Sequence, residues 1–412
     1  MGKTGKPLFV VFDVEGVLIS KNRFFFEAGK SLGISRLLKI VFAGFLYQVG
    51  AITLKAALKR SFMCLRDSRV EFLEQIADRI PLMPHVREVF NQLRAVGCKT
   101  ALISSGLPDA LVKRLANTVG ADSGFGFEVG ANNGTLTGEI WGDVIETNGK
   151  LRVFSQAISA EGLSPSDCAV VADDRNNASI FLPETLKIGY NPDFLLRLKA
   201  DDVVTGHLSK ILPVIIGEPK KKPVLSRNDF VREAIHASGF FVPLVSSLIG
   251  LPIVALLIFG VITLYAVSEL SRLDGKNLPV ISAITRLAAS QSEMHDFAAA
   301  PIYFAIGILA ALLLFPAPAS SAAIAIFALG DSTASIFGGL ISRTPLPFNK
   351  GKTLEGSLAG FFFAFLAGSV YISPFWALIG AAVAMTVEWL PLPVNDNILI
   401  PVFTGLALWS IA

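Results

Sequence analysis

Charged side chains are scarce in this sequence, and neither sign dominates. Asp, Glu, Lys and Arg together make up 17% of the 412 residues, and the formal net charge is only +3. The sequence also has no cluster of basic residues interleaved with aromatic ones, which is the usual pattern of a nucleic-acid-binding surface. These absences exclude nucleic acid as the expected partner.

Cysteine is also scarce. The three cysteines, Cys64, Cys98 and Cys168, are far apart and form neither a C-x-x-C pair nor a disulfide framework. Such isolated cysteines are typical of ordinary buried thiols in a reducing compartment. The sequence therefore does not predict a fold that depends on disulfide bonds.

Apolar residues are abundant instead, and they are distributed unevenly along the chain. They make up 52% of all residues. Residues 1–205 have the composition of a soluble domain, whereas residues 228–412 contain the long apolar runs of a membrane domain. The segment 206–227 between them contains three prolines and the basic run Lys220–Lys222. We interpret it as a linker, either simply solvated or lying near an anionic cytoplasmic membrane surface.

Three short apolar runs in the first 205 residues end in polar residues. They are 8–12 followed by Asp13 and Glu15, 100–103 followed by Ser104, and 169–172 followed by Asp173. Runs of this length and composition predict buried strands, and the helical patterns between them predict a doubly wound α/β sheet. Because ligands bind at the carboxyl edge of such a sheet, these polar residues are candidates for a common site.

Four motifs occur in this half in a fixed order. They are DVEGVL at 13–18, LISSG at 102–106, Lys150, and ADDRNN at 172–177. Together they resemble the motifs of the haloacid dehalogenase-like phosphatases, particularly the phosphoserine-phosphatase-like branch. The resemblance implies a Rossmann-like sheet with a helical cap at about residues 20–82. It also implies Mg²⁺-dependent hydrolysis of a phosphomonoester.

The same resemblance implies a role for each residue. Asp13 would attack phosphorus and form an aspartyl phosphate, and Glu15 would act as general acid and then as general base. Ser104 and Lys150 would bind and neutralise the phosphoryl oxygens. The implied ligands of Mg²⁺ are Asp13, the backbone of Glu15, Asp173 and Asn177.

Two positions depart from the usual pattern of that family. Glu15 stands where Asp is usual, and Asn177 stands where a second Asp that supports the metal is usual. The loss of a negative charge at Asn177 is expected to weaken metal binding. A degenerate domain kept as a scaffold is therefore an alternative, although the nucleophile, serine, lysine and first metal-binding acid are all present.

The predicted cap is rich in aromatic residues. They occur at Phe24–Phe26 and in the run Ile40–Tyr47. These residues are expected either to form the core of the cap or to meet a lipid substrate or the bilayer.

The second half predicts an all-α polytopic membrane domain of about seven spans. Its run 237–268 is either one long tilted helix or a hairpin broken at 246–252, because one span needs about 20 residues. With the hairpin, all twelve Lys and Arg after residue 206 fall on one side of the membrane. This positive-inside pattern favours the hairpin and places the phosphatase domain in the cytosol. The remaining runs are 298–315, 319–340, 354–372, 374–390 and 398–412.

The stretch 329–357 places charged residues between apolar segments. Its first charged residue is Asp331. Because an ionisable residue at membrane depth is costly unless it is paired, Asp331 indicates a functional site. The letters GKT at 351–353 suggest a Walker A loop, but Leu346 stands where that motif requires its first glycine. The sequence therefore excludes a P-loop here.

Four separated pieces of this half occur in order. They are GDSTAS at 330–335, RTPLPFNKGKTLEGS at 343–357, Glu388 shortly before a proline, and DN at 396–397 followed by Pro401. These pieces resemble the signature of the CTP-dependent polyprenol kinase family, which includes dolichol and phytol kinases. Asp331 is then the candidate catalytic residue. The implied residues for substrate or nucleotide are Arg343, Lys350, Lys352, Thr353, Glu355, Glu388, Asp396, Asn397 and His236.

The two resemblances together predict a cytosol-facing bifunctional membrane enzyme. One domain would phosphorylate a lipid alcohol with CTP, and the other would hydrolyse a small or lipid phosphomonoester. One alternative is a membrane cytidylyltransferase that makes a CDP-lipid. Another is a phosphoserine-type phosphatase anchored by a non-catalytic membrane domain, in which Glu355 or Glu388 merely pairs with Lys352 or Arg343.

Overall fold

The computed structural model describes residues 6–21, 23–48, 51–217, 227–273, 297–341, 343–347, 349, 351–390, 392 and 394–411. The chain forms two compact units, Met1–Lys220 and Lys221–Ala412. The division between them falls within the predicted linker.

The N-terminal unit is built on a seven-stranded sheet. Its strands are β1 Phe9–Asp13, β2 Lys99–Pro108, β3 Ser123–Asn132, β4 Thr135–Trp141, β5 Cys168–Ala172, β6 Leu186–Tyr190 and β7 Asp202–Val204. Their order across the sheet is β4-β3-β2-β1-β5-β6-β7. All neighbours pair in parallel except β3 and β4, which pair antiparallel.

The central strand β1 is apolar up to its last residue, Asp13, because it is buried on both faces. All five of its residues are buried, and Phe12 packs against Phe90 with ring centroids 4.7 Å apart. Asp13 lies beside Ile103 of β2, and Phe12 lies beside Val171 of β5. The carboxyl ends of these three strands therefore meet where the strand order changes direction, which is where α/β sheets bind ligands.

The helices of this unit form two groups. Those between β1 and β2 include an insertion of α1 Arg23–Leu32, α2 Ile34–Gln48, α3 Leu54–Met63 and α4 Glu71–Asp78. The others are α5 Val86–Ala95, α6 Asp109–Val119, α7 Gly149–Ala160, α8 Phe194–Lys199 and α9 Leu212–Ile216. The Rossmann-like arrangement of a parallel sheet with helices is thus confirmed, and the helical insertion lies where the cap was predicted.

The aromatic residues of the insertion have two different environments. Phe24 and Phe62 are buried and stack with centroids 6.4 Å apart, and Phe62 meets Phe127 of β3 edge to face at 5.2 Å. These residues form a core. Helix α2 instead carries apolar side chains on one face that are each more than half exposed, namely Ile34, Leu38, Val41, Phe42 and Phe45.

The C-terminal unit is helical. Its helices are α10 Arg227–Ser238, α11 Val242–Ile249, α12 Leu251–Leu273, α13 Ala300–Leu314, α14 Ala319–Ile341, α15 Leu354–Gly368, α16 Pro374–Trp389 and α17 Asp396–Ile411. Among the described residues, two helices are long and apolar enough to cross a membrane, Leu251–Arg272 and Ala319–Ile341. Ala300–Leu314, Leu354–Gly368 and Pro374–Trp389 are shorter apolar helices.

The run 237–268 is divided between α11 and α12. The break falls at Gly250, whose φ of 92° and ψ of 144° are readily adopted only by glycine. Pro252 lies in the first turn of α12, where the missing backbone N–H costs no helical hydrogen bond. The run is therefore not one uninterrupted helix.

Helices α14 and α15 approach closely because small residues line their contact. A Cβ atom on Gly356 of α15 would lie 2.5 Å from the carbonyl oxygen of Ala334 and 2.9 Å from Cα of Gly338, both in α14. A Cβ atom on Gly360 would lie 2.9 Å from the carbonyl oxygen of Gly330. Small residues at four-residue spacing let two helix backbones touch. This contact holds the middle of α14 next to the segment that precedes α15.

Replacing Gly356 by alanine should destabilise the C-terminal unit. The added methyl group meets backbone atoms, which cannot move aside without separating the helices, and overpacking of this kind costs about 1–3 kcal/mol. The measurement is the apparent unfolding temperature of the full-length protein in detergent. Gly260→Ala is the matched control, because a Cβ atom on this helical glycine meets nothing within 4 Å. An equal unfolding temperature for both variants would contradict the close contact.

Candidate active sites

The predicted phosphatase residues lie together at the carboxyl edge of the sheet. Asp13 ends β1, Ser104 lies in β2, Asp173 directly follows β5, and Lys150 is the second residue of α7. All four side chains are buried. Residues from four separate parts of the chain therefore share one enclosed site.

Asp13 is held by one cation and by neutral donors. Its Oδ1 accepts hydrogen bonds from Nζ of Lys150 and from the backbone N of Val14, both at 2.9 Å. Nδ2 of Asn177 donates to its Oδ2, and Oδ1 of Asn177 accepts from Lys150 at 2.7 Å. Burial alone would lower the pKa of Lys150, but the carboxylates of Asp13 and Asp174 raise it above its usual value. Lys150 is thus a fixed positive charge beside Asp13.

Three carboxylates in this site lie close enough to share a metal ion. One oxygen from each of Asp13, Asp173 and Asp174 lies within 4.8 Å of the others. Oδ1 of Asp173 is buried and, in the described part of the chain, has no hydrogen-bond partner. A set of carboxylate oxygens with one unsatisfied buried acceptor fits Mg²⁺, which prefers oxygen ligands.

This group of acids differs from the predicted ligand set. Asp174 lies in it, although the sequence analysis did not assign that residue. Asn177 instead bridges the other members, because its Nδ2 also donates to Oδ1 of Asp174 at 3.1 Å. The backbone of Glu15, another predicted ligand, lies in the loop after β1. The amide at Asn177 therefore orients Asp13 and Asp174 rather than adding a negative charge.

Lys21 lies against the same acids and was missed by the sequence analysis. Its Nζ lies 2.8 Å from Oδ2 of Asp173 and 2.9 Å from Oδ2 of Asp174. Burial alone would lower the pKa of Lys21, but the two carboxylates raise it above its usual value. Lys21 therefore neutralises part of the charge that a metal ion would also neutralise. It lies outside the four motifs, so only the fold identifies it.

Glu15 and Ser104 face each other across the site. Oγ of Ser104 lies 3.4 Å from Oε2 of Glu15 and accepts hydrogen bonds from the backbone N–H groups of Gly106 and Leu107, at 3.1 and 3.0 Å. Burial, together with the charge of Asp13, raises the pKa of Glu15 to about 7. A carboxyl group with this pKa can both donate and accept a proton near neutral pH.

In the C-terminal unit, Lys352 lies among carboxylates from three helices. Its Nζ is 2.7 Å from Oε1 of Glu388, 3.8 Å from Oδ2 of Asp396 and 4.0 Å from Oδ1 of Asp331. Glu388 lies at the end of α16, and Asp396 begins α17. Asp331 lies in the middle of α14. We call these four residues the Lys352 cluster.

His236 lies on the other side of Asp331. Its Nδ1 is 3.6 Å from Oδ2 of Asp331, and its ring stacks on Phe304 with centroids 4.3 Å apart. Glu233, one turn earlier in α10, also lies here and was not predicted. Burial, together with the charge of Asp331, raises the pKa of Glu233 above its usual value.

Two further residues of the predicted nucleotide site have local structural roles. Thr353 caps α15 by accepting a hydrogen bond from a backbone N–H group at 3.2 Å. Glu355 accepts from a backbone N–H group of the preceding loop at 3.3 Å. Arg343 is exposed, and Asn397 lies in the first turn of α17. Lys350 lies outside the described residues.

Comparison with known proteins finds relatives of the N-terminal unit. A family model described as haloacid dehalogenase-like hydrolase matches residues 9–181. A phosphoserine phosphatase of Archaeoglobus fulgidus is 31% identical over 204 residues, which cover 49% of this chain and 56% of that protein. One from Methanocaldococcus jannaschii is 26% identical over 196 residues, which cover 48% of this chain and 91% of that protein. The N-terminal unit therefore matches the haloacid dehalogenase-like hydrolase model and is similar to phosphoserine phosphatases.

A plant protein has a partial similarity of a different kind. The probable phytol kinase 1, chloroplastic, of Oryza sativa subsp. japonica is 27% identical over 152 residues. The match covers 32% of this chain and 48% of that protein.

Mg²⁺ should stabilise a Lys21→Met variant more than it stabilises the wild-type protein. Without Lys21, the repulsion among Asp13, Asp173 and Asp174 is balanced only by Lys150 and by a bound metal ion. We expect the additional stabilisation by Mg²⁺, relative to EDTA, to be about 1 kcal/mol or more. Hydrogen–deuterium exchange of the peptides that contain β1 and β5, in the full-length protein, measures it.

The control for this experiment is Lys113→Met. It removes a surface ion pair with Asp109, in which the lysine side chain is 65% exposed. This variant should gain as much protection from Mg²⁺ as the wild-type protein. An equal gain in the Lys21 and Lys113 variants would show that Lys21 does not share the charge of the metal site.

Proposed function

We propose that the chain is a bifunctional membrane enzyme with two sites for phosphoryl transfer. The N-terminal unit hydrolyses a phosphomonoester. The C-terminal unit transfers the γ-phosphate of CTP to a lipid alcohol of the polyprenol, dolichol or phytol type. The observation that carries the second activity is the Lys352 cluster, in which a lysine faces three carboxylates within an otherwise apolar helical unit.

In the N-terminal site, Asp13 attacks phosphorus and forms an aspartyl phosphate while Glu15 donates a proton to the leaving oxygen. Glu15 then removes a proton from water, which attacks the same phosphorus, releases inorganic phosphate and restores Asp13. Lys150 and Ser104 bind the phosphoryl oxygens during both displacements. A Mg²⁺ ion bound by the three carboxylates would supply further neutralisation of phosphate charge.

The exposed apolar face of α2 supports a lipid phosphomonoester as the substrate. A small polar substrate needs no such face, whereas a stripe of large exposed apolar side chains suits a hydrocarbon chain or the bilayer surface. Phosphoserine is named as the substrate of the two archaeal relatives. A small phosphomonoester is therefore the second candidate for this site.

In the C-terminal site, Lys352 neutralises phosphate oxygens of CTP, and a carboxylate of the cluster accepts the proton of the alcohol. The alcohol oxygen then bonds to the γ-phosphorus and CDP leaves, which gives a lipid monophosphate. Oε2 of Glu388 is buried and has no hydrogen-bond partner among the residues that the structure describes. Glu388 therefore has a free acceptor for the hydroxyl group of the substrate, whereas Asp331 and Asp396 are candidates for holding the nucleotide or its metal ion.

The proposed enzyme crosses the membrane about seven times, with both sites facing the cytosol. The lengths of Leu251–Arg272 and Ala319–Ile341 support membrane crossing. The break at Gly250 supports the hairpin that brings all twelve Lys and Arg after residue 206 to one side. Lys352 is one of these twelve, so soluble CTP would reach the cluster from the cytosol.

Asp13→Asn should abolish phosphomonoester hydrolysis by the full-length protein in detergent with Mg²⁺. An asparagine side chain cannot form the aspartyl phosphate, so the rate should fall by about a thousandfold or more. Release of inorganic phosphate from isoprenyl monophosphates and from phosphoserine measures the activity and its preference. Glu88→Gln, a change to an exposed carboxylate of the same unit, should leave the rate unchanged. Hydrolysis of phosphoserine alone would contradict the lipid substrate, and activity that survives Asp13→Asn would contradict the nucleophile.

The Asp13→Asn protein should transfer radioactive label from γ-labelled CTP to a lipid alcohol. The Asp13 substitution prevents the phosphatase site from removing the product. An added Asp331→Ala or Lys352→Ala change should lower the transfer rate by about a hundredfold or more. Thr263→Ala, on the exposed side of α12, is the control in the same unit.

The substrate panel for this assay contains prenols of several lengths, phytol and diacylglycerol, with ATP as the competing donor. Label in a prenol, from CTP and not from ATP, is the expected result. Full transfer in the Asp331 and Lys352 variants would contradict the assigned site. No lipid label with any alcohol would favour an anchor without catalytic function.

A further inference from the structure

Two residues of α10 and one of α14 turn ligand atoms towards a common point. Glu233 and His236 are three positions apart in α10, so they lie on the same face of the helix. Asp331 faces them from α14. One ligand atom from each of the three residues lies within 4.8 Å of the others. All three side chains are buried.

Two atoms of these residues that can bind a metal ion have no hydrogen-bond partner within the part of the chain that the structure describes. They are Oε2 of Glu233, which is 2% exposed, and Nδ1 of His236, which is 8% exposed. The two hydrogen bonds that Arg232 donates to Glu233 both end on the other carboxylate oxygen, Oε1, the shorter at 2.8 Å. The 3.6 Å between Nδ1 of His236 and Oδ2 of Asp331 is too long for a hydrogen bond. Buried polar atoms without partners are rare in folded proteins and call for an explanation.

A metal ion satisfies these atoms together. We propose that Glu233, His236 and Asp331 bind a divalent transition-metal ion, Mn²⁺ or Zn²⁺. An imidazole nitrogen beside two carboxylates suits these ions, whereas Mg²⁺ and Ca²⁺ prefer sites made only of oxygen. Ligands of one such ion lie roughly 3–4 Å apart, so a small inward movement closes the site.

Neighbouring side chains hold two of the three ligands in place. Phe304 stacks on the His236 ring with an interplanar angle of 12°, which sets the direction of Nδ1. Nε and Nη2 of Arg232 donate to Oε1 of Glu233 at 3.1 and 2.8 Å and leave Oε2 pointing to the site. Outer contacts of this kind orient the ligands of metal ions in proteins.

The proposed metal site and the Lys352 cluster share Asp331. Its Oδ2 faces His236, and its Oδ1 lies 4.0 Å from Nζ of Lys352. A phosphate group bound between the ion and Lys352 would contact positive charge on both sides of Asp331. This role in binding phosphate rests on the proposed kinase function, whereas binding of the ion itself does not.

Mn²⁺ binding to the full-length protein in detergent tests the site. An Asp13→Asn, Asp173→Asn background removes two of the three carboxylates of the phosphatase site. We expect this background to bind one Mn²⁺ ion, seen by electron paramagnetic resonance, with an electron spin echo modulation from ¹⁴N of an imidazole ligand. The three carboxylates of the phosphatase site contain no nitrogen and cannot produce that modulation. The modulation therefore identifies an ion bound by His236 even in the protein that retains Asp13 and Asp173.

Three substitutions in the background separate a metal ligand from a structural residue. Glu233→Gln should weaken Mn²⁺ binding by about tenfold or more and keep the ¹⁴N signal at saturation. His236→Gln should weaken binding similarly and abolish the ¹⁴N signal. His236→Asp should retain binding through a carboxylate oxygen and lose the ¹⁴N signal. His85→Gln, which changes an exposed histidine of the N-terminal unit, is the control and should alter neither quantity.

A ¹⁴N signal that persists in both His236 variants would overturn the proposal, as would the absence of Mn²⁺ binding in the background. Because no CTP or lipid is present, this result is independent of the kinase assay. Mn²⁺ binding as expected together with no lipid label would leave the metal site standing and remove the kinase function. Lipid label without Mn²⁺ binding would remove the metal site and leave the kinase function standing.

Discussion

Carboxylates that are removed from water need nearby positive charge, and both sites are arranged around this constraint. In the N-terminal unit, Lys150 contacts Asp13, and Lys21 contacts the two acids that follow β5. In the C-terminal unit, Lys352 contacts Glu388 and lies near two further acids. Each set of acids therefore has a cation already in place for phosphate oxygens. Within the described ranges, Oδ1 of Asp173 and Oε2 of Glu388 accept no hydrogen bond and remain for a metal ion or a proton.

The two units bring these charges together by different structural means. In the N-terminal unit, parallel strands on either side of β1 end at one edge, so residues far apart in sequence meet there. In the C-terminal unit, glycine and alanine let α14 and α15 touch, which brings the loop carrying Lys352 towards Asp331. The sheet depends on burial of apolar strands, and the helix contact depends on the absence of side chains. A larger residue at Gly356 would thus disturb the site without changing any charged group.

Local sequence patterns predicted the strands that carry Asp13, Ser104 and Asp173, because a strand buried on both faces is a continuous apolar run. The distribution of Lys and Arg also predicted the interruption near Gly250, because a hairpin there puts all twelve after residue 206 on one side of the membrane. Lys21 and Glu233 were missed because the acids they lie beside are far away in sequence, and only the tertiary structure brings them together. Similarity to a family signature identifies a group of residues, but it does not separate those that face the site from those that cap helices or face solvent.

The central claim is that the C-terminal unit transfers the γ-phosphate of CTP to a lipid alcohol. The most direct test follows the phosphorus atoms by ³¹P NMR while the full-length Asp13→Asn protein turns over CTP and a prenol in detergent. Transfer of the γ-phosphate should give equal amounts of CDP and a lipid phosphomonoester, because the bond between the β- and γ-phosphates is broken. Formation of no lipid phosphate from the prenol, together with release of pyrophosphate and formation of a CDP-lipid when a lipid phosphate replaces the prenol, would contradict it and would identify a cytidylyltransferase.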